Sequence, residues 1–249
     1  MRLSVALLVT GLASGVVWNA EADSKPVSEA QQTQAAAVKN REPVLVELFT
    51  SEGCSSCPPA DAYLSELSQQ RSDILPLAFH VTYWNNLGWK DPFSLDIATQ
   101  RQAEYGRRFG DGSYTPEMVV DGTTGFVGSD RSSAEAAIQK AKDAGSTAAP
   151  LSAVRKGNVI TVSVGTGSGS AQVVLVGYDT QHVTAVGRGE NGGRTLKESN
   201  IVRSFQQIGQ WTGKPAVFDP QVPAGEKTAV LLEAPDGHIV GAARVTDEP

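Results

Sequence analysis

Cys54 and Cys57 are the only cysteines in a chain of 249 residues, and they stand three apart in the stretch SEGCSSCPP, residues 51–59. The apolar run VLVELFT, residues 44–50, leads directly into them. Three chemistries suit two thiols at this spacing. A zinc site needs four ligands, and two cysteines supply half. His80, His182 and His238 are scattered and offer no paired-histidine motif to complete it. A purely structural disulfide would close a very short loop and so restrict the unfolded chain little. The third reading is redox. A thiol at the start of a helix sees unpaired N–H groups and the positive end of the dipole, which favour thiolate. Cys54 would be the attacking sulfur, and Cys57, one turn on, would resolve a mixed disulfide. Transient handling of a soft metal such as Cu(I) by the two thiolates remains a further alternative.

The elements that would position this pair can be read on either side of it. Residues 44–49 suit a buried strand. Pro58 and Pro59 suit the first turn of a helix, and Ala60, Tyr63, Leu64 and Leu67 repeat at helical spacing. Residues 74–83 predict a second strand. Asp91-Pro92 reads as a cap and first-turn proline of a second helix, with Phe93, Ile97, Tyr105 and Phe109 on one stripe and Gly110 as its stop. Residues 118–120 and 125–127 predict a hairpin turning at Asp121-Gly122. Ser132 and Glu135 form a capping-box pattern for a third helix ending at Gly145. The order predicts an α/β domain over residues 43–146. Residues 145–150 read as a linker. Beyond it the period becomes two, with Ile160, Val162 and Val164 alternating with polar residues, and residues 230–232 and 239–240 forming a terminal hairpin. Residues 151–249 therefore predict an all-β, sandwich-like domain.

Two segments resemble a known architecture. VLVELFTSEGCSSCPP looks like the strand-to-helix motif of thioredoxin-like proteins, and SYTPEMVVDG, residues 113–122, resembles the segment that carries their cis-proline before a β-hairpin. The resemblance implies that Thr115 and a cis Pro116 face the two sulfurs, where the backbone before the proline offers an edge to an extended substrate. The wider chain is similar to an uncharacterised family of exported thioredoxin-like proteins, known only as a domain of unknown function. The residues that carry this are 49–61 (FTSEGCSSCPPAD), 79–93 (FHVTYWNNLGWKDPF) and 187–195 (GRGENGGRT). The family implies a fold and no proven activity. Gly53 replaces the tryptophan that thioredoxins place before the first cysteine, and Ser55-Ser56 replaces their Gly-Pro. Glu52 lies close enough to Cys54 to oppose a thiolate.

Other residues offer two readings each. Glu47 is either a buried acid serving the second cysteine, as in thioredoxins, or a solvent carboxylate at a strand edge. Trp84, with Trp89 and Phe93, is either an apolar wall for an unfolded substrate or packing beneath a loop. His80 is either a hydrogen-bonded core histidine or a proton shuttle. Residues 187–192 match G-x-G-x-x-G, but no apolar helical stripe follows, so a dinucleotide site is rejected in favour of a glycine-permitted loop packing against the first domain.

The bulk properties bound the partners. A net charge of -6 and a pI near 5.1 leave no basic surplus for phosphates, which argues against nucleic acid. Arg2, the apolar residues 3–17 and Ala20-Glu21-Ala22 read as a signal peptide over residues 1–22, with an uncleaved anchor as the alternative. A polar tether over residues 23–42 follows. These features imply a periplasmic or secreted protein with no membrane span in the mature chain, no metal and no cofactor beyond the cysteine pair. Its partners would be protein thiols and disulfides. The non-catalytic alternative is an envelope binding or scaffold protein with a structural disulfide.

Overall fold

A computed structural model describes residues 42–145 and 148–248. The expected signal peptide and all of the tether but Glu42 lie outside these residues. The first strand, β1 (Val44–Thr50), is buried throughout because both faces are covered. Leu45 and Phe49 point into one apolar cluster, while Val46 and Leu48 point into another. This is the alternation a central strand imposes. β2 (Ile74–His80) pairs with β1 in parallel. β3 (Glu117–Val120) pairs with it antiparallel and turns into β4 (Thr124–Val127). Asp121 at φ 44° and Gly122 at φ 63° make that turn.

Between β1 and β2 runs α1 (Pro58–Gln70), which sets Ala60, Tyr63, Leu64 and Leu67 on one face of the sheet. α2 (Asp96–Phe109) buries Ala98 and Tyr105 on the opposite face. α3 (Arg131–Ala144) returns to the first face through Ala134 and Ile138. Two helix starts differ from expectation. α2 begins five residues after Asp91, because the Asp91 carboxylate is engaged elsewhere and residues 91–95 form a turn. α3 is capped by Asp130, which accepts from Ser133 N at 3.1 Å. Glu135 instead accepts from the Tyr63 hydroxyl at 2.8 Å. Gly110 and Gly145 stop their helices in the left-handed region, as expected.

The chain continues through β5 (Leu151–Lys156), β6 (Val159–Val164), β7 (Ala171–Ala185), β8 (Thr195–Trp211), β9 (Ala216–Phe218), β10 (Lys227–Glu233), β11 (Ile239–Arg244) and β12 (Thr246–Asp247). Four of these strands extend the first sheet, giving the order β11-β10-β7-β8-β2-β1-β3-β4. β12, β5, β6 and β9 form a second sheet. Ile160, Val162, Val173, Leu175, Trp211 and Val230 fill the space between the sheets, so the sandwich layer is present. Its inner sheet is nevertheless the same sheet that carries β1. The described residues make one compact unit rather than separate domains divided between residues 145 and 151. Ala148 and Ala149 pack into the sandwich, and Glu42 at the end of the expected tether accepts from Ala242 N. The junction is the β7–β8 hairpin, whose β8 meets β2 in parallel at Ala78 and Ile201.

Candidate functional site

β1 delivers the chain into a tight loop at residues 51–57. Cys54 N donates to Ser51 O at 3.0 Å and Cys57 N to Cys54 O at 3.2 Å. Cys57 is the N-cap residue of α1, and its carbonyl accepts from Ala60 N and Asp61 N. The two sulfurs are joined in a disulfide. Both cysteines are 0% exposed, although Ser55 and Ser56 between them reach solvent. The Thr115–Pro116 peptide is cis, and Thr115 O accepts from Ser56 Oγ at 3.5 Å. The structure thus brings Cys54, Cys57, Thr115 and Pro116 together at one end of the sheet.

Trp84 joins them, because its Nε1 donates to Thr115 Oγ1 at 2.8 Å. A side chain at Gly53 would come within 3.2 Å of Trp84 Cβ, so glycine lets the start of the Trp84 side chain sit against the disulfide loop. Trp89 Nε1 donates to Glu52 Oε2 at 2.7 Å. Phe93 is buried between the rings of His80 and His182. Trp84 and Trp89 are half-buried beside the loop, so part of each remains at the surface.

Glu47 does not join the site. It shares a face of β1 with Leu45 and Phe49, turned away from α1. It is fully buried, receiving Arg101 Nε at 2.6 Å, Arg101 Nη2 at 3.1 Å and the Tyr105 hydroxyl at 2.5 Å. Both sequence readings of Glu47 fail, since it is neither a strand-edge carboxylate in solvent nor an acid free to serve Cys57.

A second buried group of ionisable side chains gathers beside the disulfide loop. His80 Nδ1 lies 2.7 Å from Asp91 Oδ2, and the same oxygen accepts from Glu52 N at 2.9 Å. His80 Nε2 faces Glu198 Oε1 across 3.9 Å. Among the described residues, neither His80 Nε2 nor either oxygen of Glu198 has a hydrogen-bond partner. Asp61, one turn after Cys57, accepts from Thr50 Oγ1 at 2.7 Å. Burial pushes the Glu198 carboxyl up to about 8, against relief from His80 and with a further push from Asp61, Glu52 and Asp91. Burial likewise raises Asp61 to about 7, against the Thr50 bond. Glu52 is raised by burial too, against bonds from Thr184 and Trp89. His80 is pushed down by burial but carried up to about 10 by Asp91 and Glu198. Asp91, for which burial works upward, is held below its ordinary value by His80. Burial therefore makes Asp61 and Glu198 hold their protons more tightly than free carboxyls do, and it pushes Glu52, beside Cys54, in the same direction.

The arm formed by β7 and β8 reaches the same loop. Asn191 is fully buried and donates both Nδ2 hydrogens, to Glu52 O and Cys54 O, at 2.9 Å each. Glu190 Oε2 accepts from Ser55 N at 3.2 Å and Ser55 Oγ at 2.6 Å. The glycine-rich segment 187–193 is thus a hairpin tip docked on the disulfide loop. No dinucleotide-type helix follows it. Sequence reasoning missed Asp61, Asp91, Glu190, Asn191 and Glu198. The signal was faint: a glycine-rich loop flanked by period-two segments that mark a long hairpin. Among the described residues no three His, Cys, Asp or Glu side chains are arranged to hold a metal ion. Nor is any helix long and apolar enough to cross a membrane.

Fold and site together define a mixed α/β protein with a buried Cys-x-x-Cys disulfide at the start of a helix. Over residues 45–233 the chain matches the family described as protein of unknown function (DUF1223), and it belongs to that family. Its fold is similar to the crystal structure of protein AGR_C_4864 from Agrobacterium tumefaciens. The two share 31% identity over 82% of this chain and 93% of that one, with a TM-score of 0.71. HBP35 of Porphyromonas gingivalis shares the fold at 13% identity, with a TM-score of 0.54 over 82% of this chain and 74% of that one. No curated protein matches the chain.

Proposed function

We propose that this is a thioredoxin-like protein of the cell envelope or exterior that exchanges disulfides with a protein dithiol through Cys54 and Cys57. The observation that carries the reading is the bonded pair at the start of α1, with Cys57 as its N-cap. In the exchange, a substrate thiolate attacks Cys54 Sγ and forms a mixed disulfide. The Cys54–Cys57 bond breaks and Cys57 leaves as a thiolate that takes a proton. The second substrate thiolate then attacks the substrate sulfur of the mixed disulfide and expels Cys54. The substrate gains a disulfide and this protein gains two thiols; the reverse sequence reduces a substrate. The helix N-terminus favours each leaving thiolate. With dithiothreitol as the electron source, purified wild-type protein should speed the reduction of insulin or reshuffle a scrambled disulfide substrate, and Cys54→Ser should not. Equal rates for the two proteins would end the exchange reading.

The complete burial of both sulfurs favours a second reading, a non-catalytic protein whose disulfide fixes the helix start. The reduction potential separates the two. A structural bridge lies below about -300 mV, whereas exchange proteins lie near about -270 mV and above.

A further inference from the structure

Both sulfurs are buried, yet the residues between them are exposed, so burial depends on how the loop 51–57 is held. Part of that hold comes from far along the sequence. Asn191 grips the backbone on both sides of Gly53 through Glu52 O and Cys54 O, and its own Oδ1 receives Arg194 Nη1 at 2.9 Å. Glu190 takes the N–H and hydroxyl of Ser55, bonds that hold its carboxyl below the usual range.

The tip that presents these side chains is itself closed. Val186 N donates to Arg194 O, Gly193 N to Val186 O and Gly192 N to Gly189 O. Gly189, at φ 77°, seats the tip against the neighbouring aromatic loop, where a Cβ would come within 3.1 Å of Trp89 Cβ. A preformed tip therefore docks on the disulfide loop through main-chain groups of residues 52, 54 and 55. Attack on a disulfide requires access to a sulfur, and this loop cannot shift while those groups are bound.

We propose that Asn191 and Glu190 are positioning residues that latch the disulfide loop, so that Cys54 Sγ can be attacked only after the β7–β8 tip lets go of it. The functional meaning rests on the exchange reading; the latch itself is testable without it. The experiment measures native-state reduction of the disulfide in the full chain by tris(2-carboxyethyl)phosphine, trapped with a thiol alkylator and read by mass. Each lost hydrogen bond weakens the latch by a factor of a few to about tenfold. Asn191→Ala should therefore raise the reduction rate on the order of tenfold to a hundredfold. Glu190→Ala, at an exposed position, removes two bonds that solvent already weakens, so it should raise the rate less, roughly threefold to tenfold. Ile160→Val, in the distant sandwich core, controls for general loosening. If that variant lowers the melting temperature as much as Asn191→Ala and speeds reduction equally, the latch is wrong. Unchanged reduction in both tip variants also overturns it. Faster reduction in the tip variants without turnover of a protein disulfide would support the latch and defeat the exchange reading.

Discussion

Two groups of buried charge sit on this one sheet, and they are solved differently. Around Glu47, one arginine faces two carboxylates and a phenol. Arg101 bonds to Glu47 through two nitrogens, to Glu233 at 2.6 Å and to the Tyr105 hydroxyl at 2.8 Å. Its guanidinium also lies 4.8 Å from the Phe205 ring centroid. Around His80, one imidazole faces Asp91 and Glu198, with Asp61 and Glu52 acting on the same group from nearby. Among the described residues, several of its polar atoms have no hydrogen-bond partner. The first group ties β1, α2 and β10 into a fixed frame. The second spans the disulfide loop, α1, the end of β2, the loop after it and the β8 arm. Full pairing marks the part that holds still, and incomplete pairing marks the part whose protonation can vary.

The largest effect should come from breaking the paired group. Arg101→Ala leaves Glu47 buried without its partner, which costs about 3–5 kcal/mol, measured as the change in urea unfolding free energy. A loss below about 1 kcal/mol, the range of a surface pair, would show that Glu47 is not held as described.

The cluster around His80 should respond in the opposite direction. Glu198 is pushed to about 8, Asp61 to about 7 and His80 to about 10. Each therefore binds its proton more tightly folded than unfolded. Their stabilising contributions are whole below the ordinary values, near 4 for the carboxyls and 6.5 for histidine. They are lost as pH climbs through the folded values. Asp91, lowered by His80, loses its contribution only in stronger acid. Glu42, Glu117 and Asp121, each raised by burial to about 7, add to the same slope. Stability should be greatest near pH 5 and fall towards pH 9. Glu198→Gln removes that residue's share, so between pH 5 and pH 9 the variant should lose up to about 4 kcal/mol less stability than wild type. Parallel pH curves for the two proteins would mean that Glu198 ionises freely in the folded state.

The same contrast explains what the sequence could and could not convey. Cys54, Cys57 and the first-turn prolines, the buried run 44–50, the glycine stops and the Asp121-Gly122 turn are local signals, and the structure contains each feature. Asp91 reads locally as a helix cap, yet its carboxylate bonds His80 and Glu52 N, so the helix starts later. Asp61 and Glu198 carry no local signal of their burial. Their burial depends on β8 lying beside β2, a pairing carried by Ala78 and Ile201 that no pattern within residues 195–211 announces. For the same reason two domains were expected where one sheet runs through both. Glu47 failed in another way, because its partner Arg101 lies 54 residues on and its face is decided by the register of β1.

The smallest effect asks whether the disulfide loop is tied down as its hydrogen bonds indicate. Ser55 gives Glu190 Oε2 two donors, and Ser55→Ala removes the hydroxyl while keeping the backbone N–H. The reduction rate of the disulfide should therefore rise only about twofold to fivefold in this variant, the share of a single exposed hydrogen bond. In a Glu190→Ala background the hydroxyl has no carboxylate left to bind, and the same substitution should change nothing further. This non-additivity distinguishes a specific bond from a general effect of Ser55 on the loop. Equal increments in both backgrounds would show that Ser55 acts on the disulfide without Glu190, and the tip would then be held by Asn191 alone.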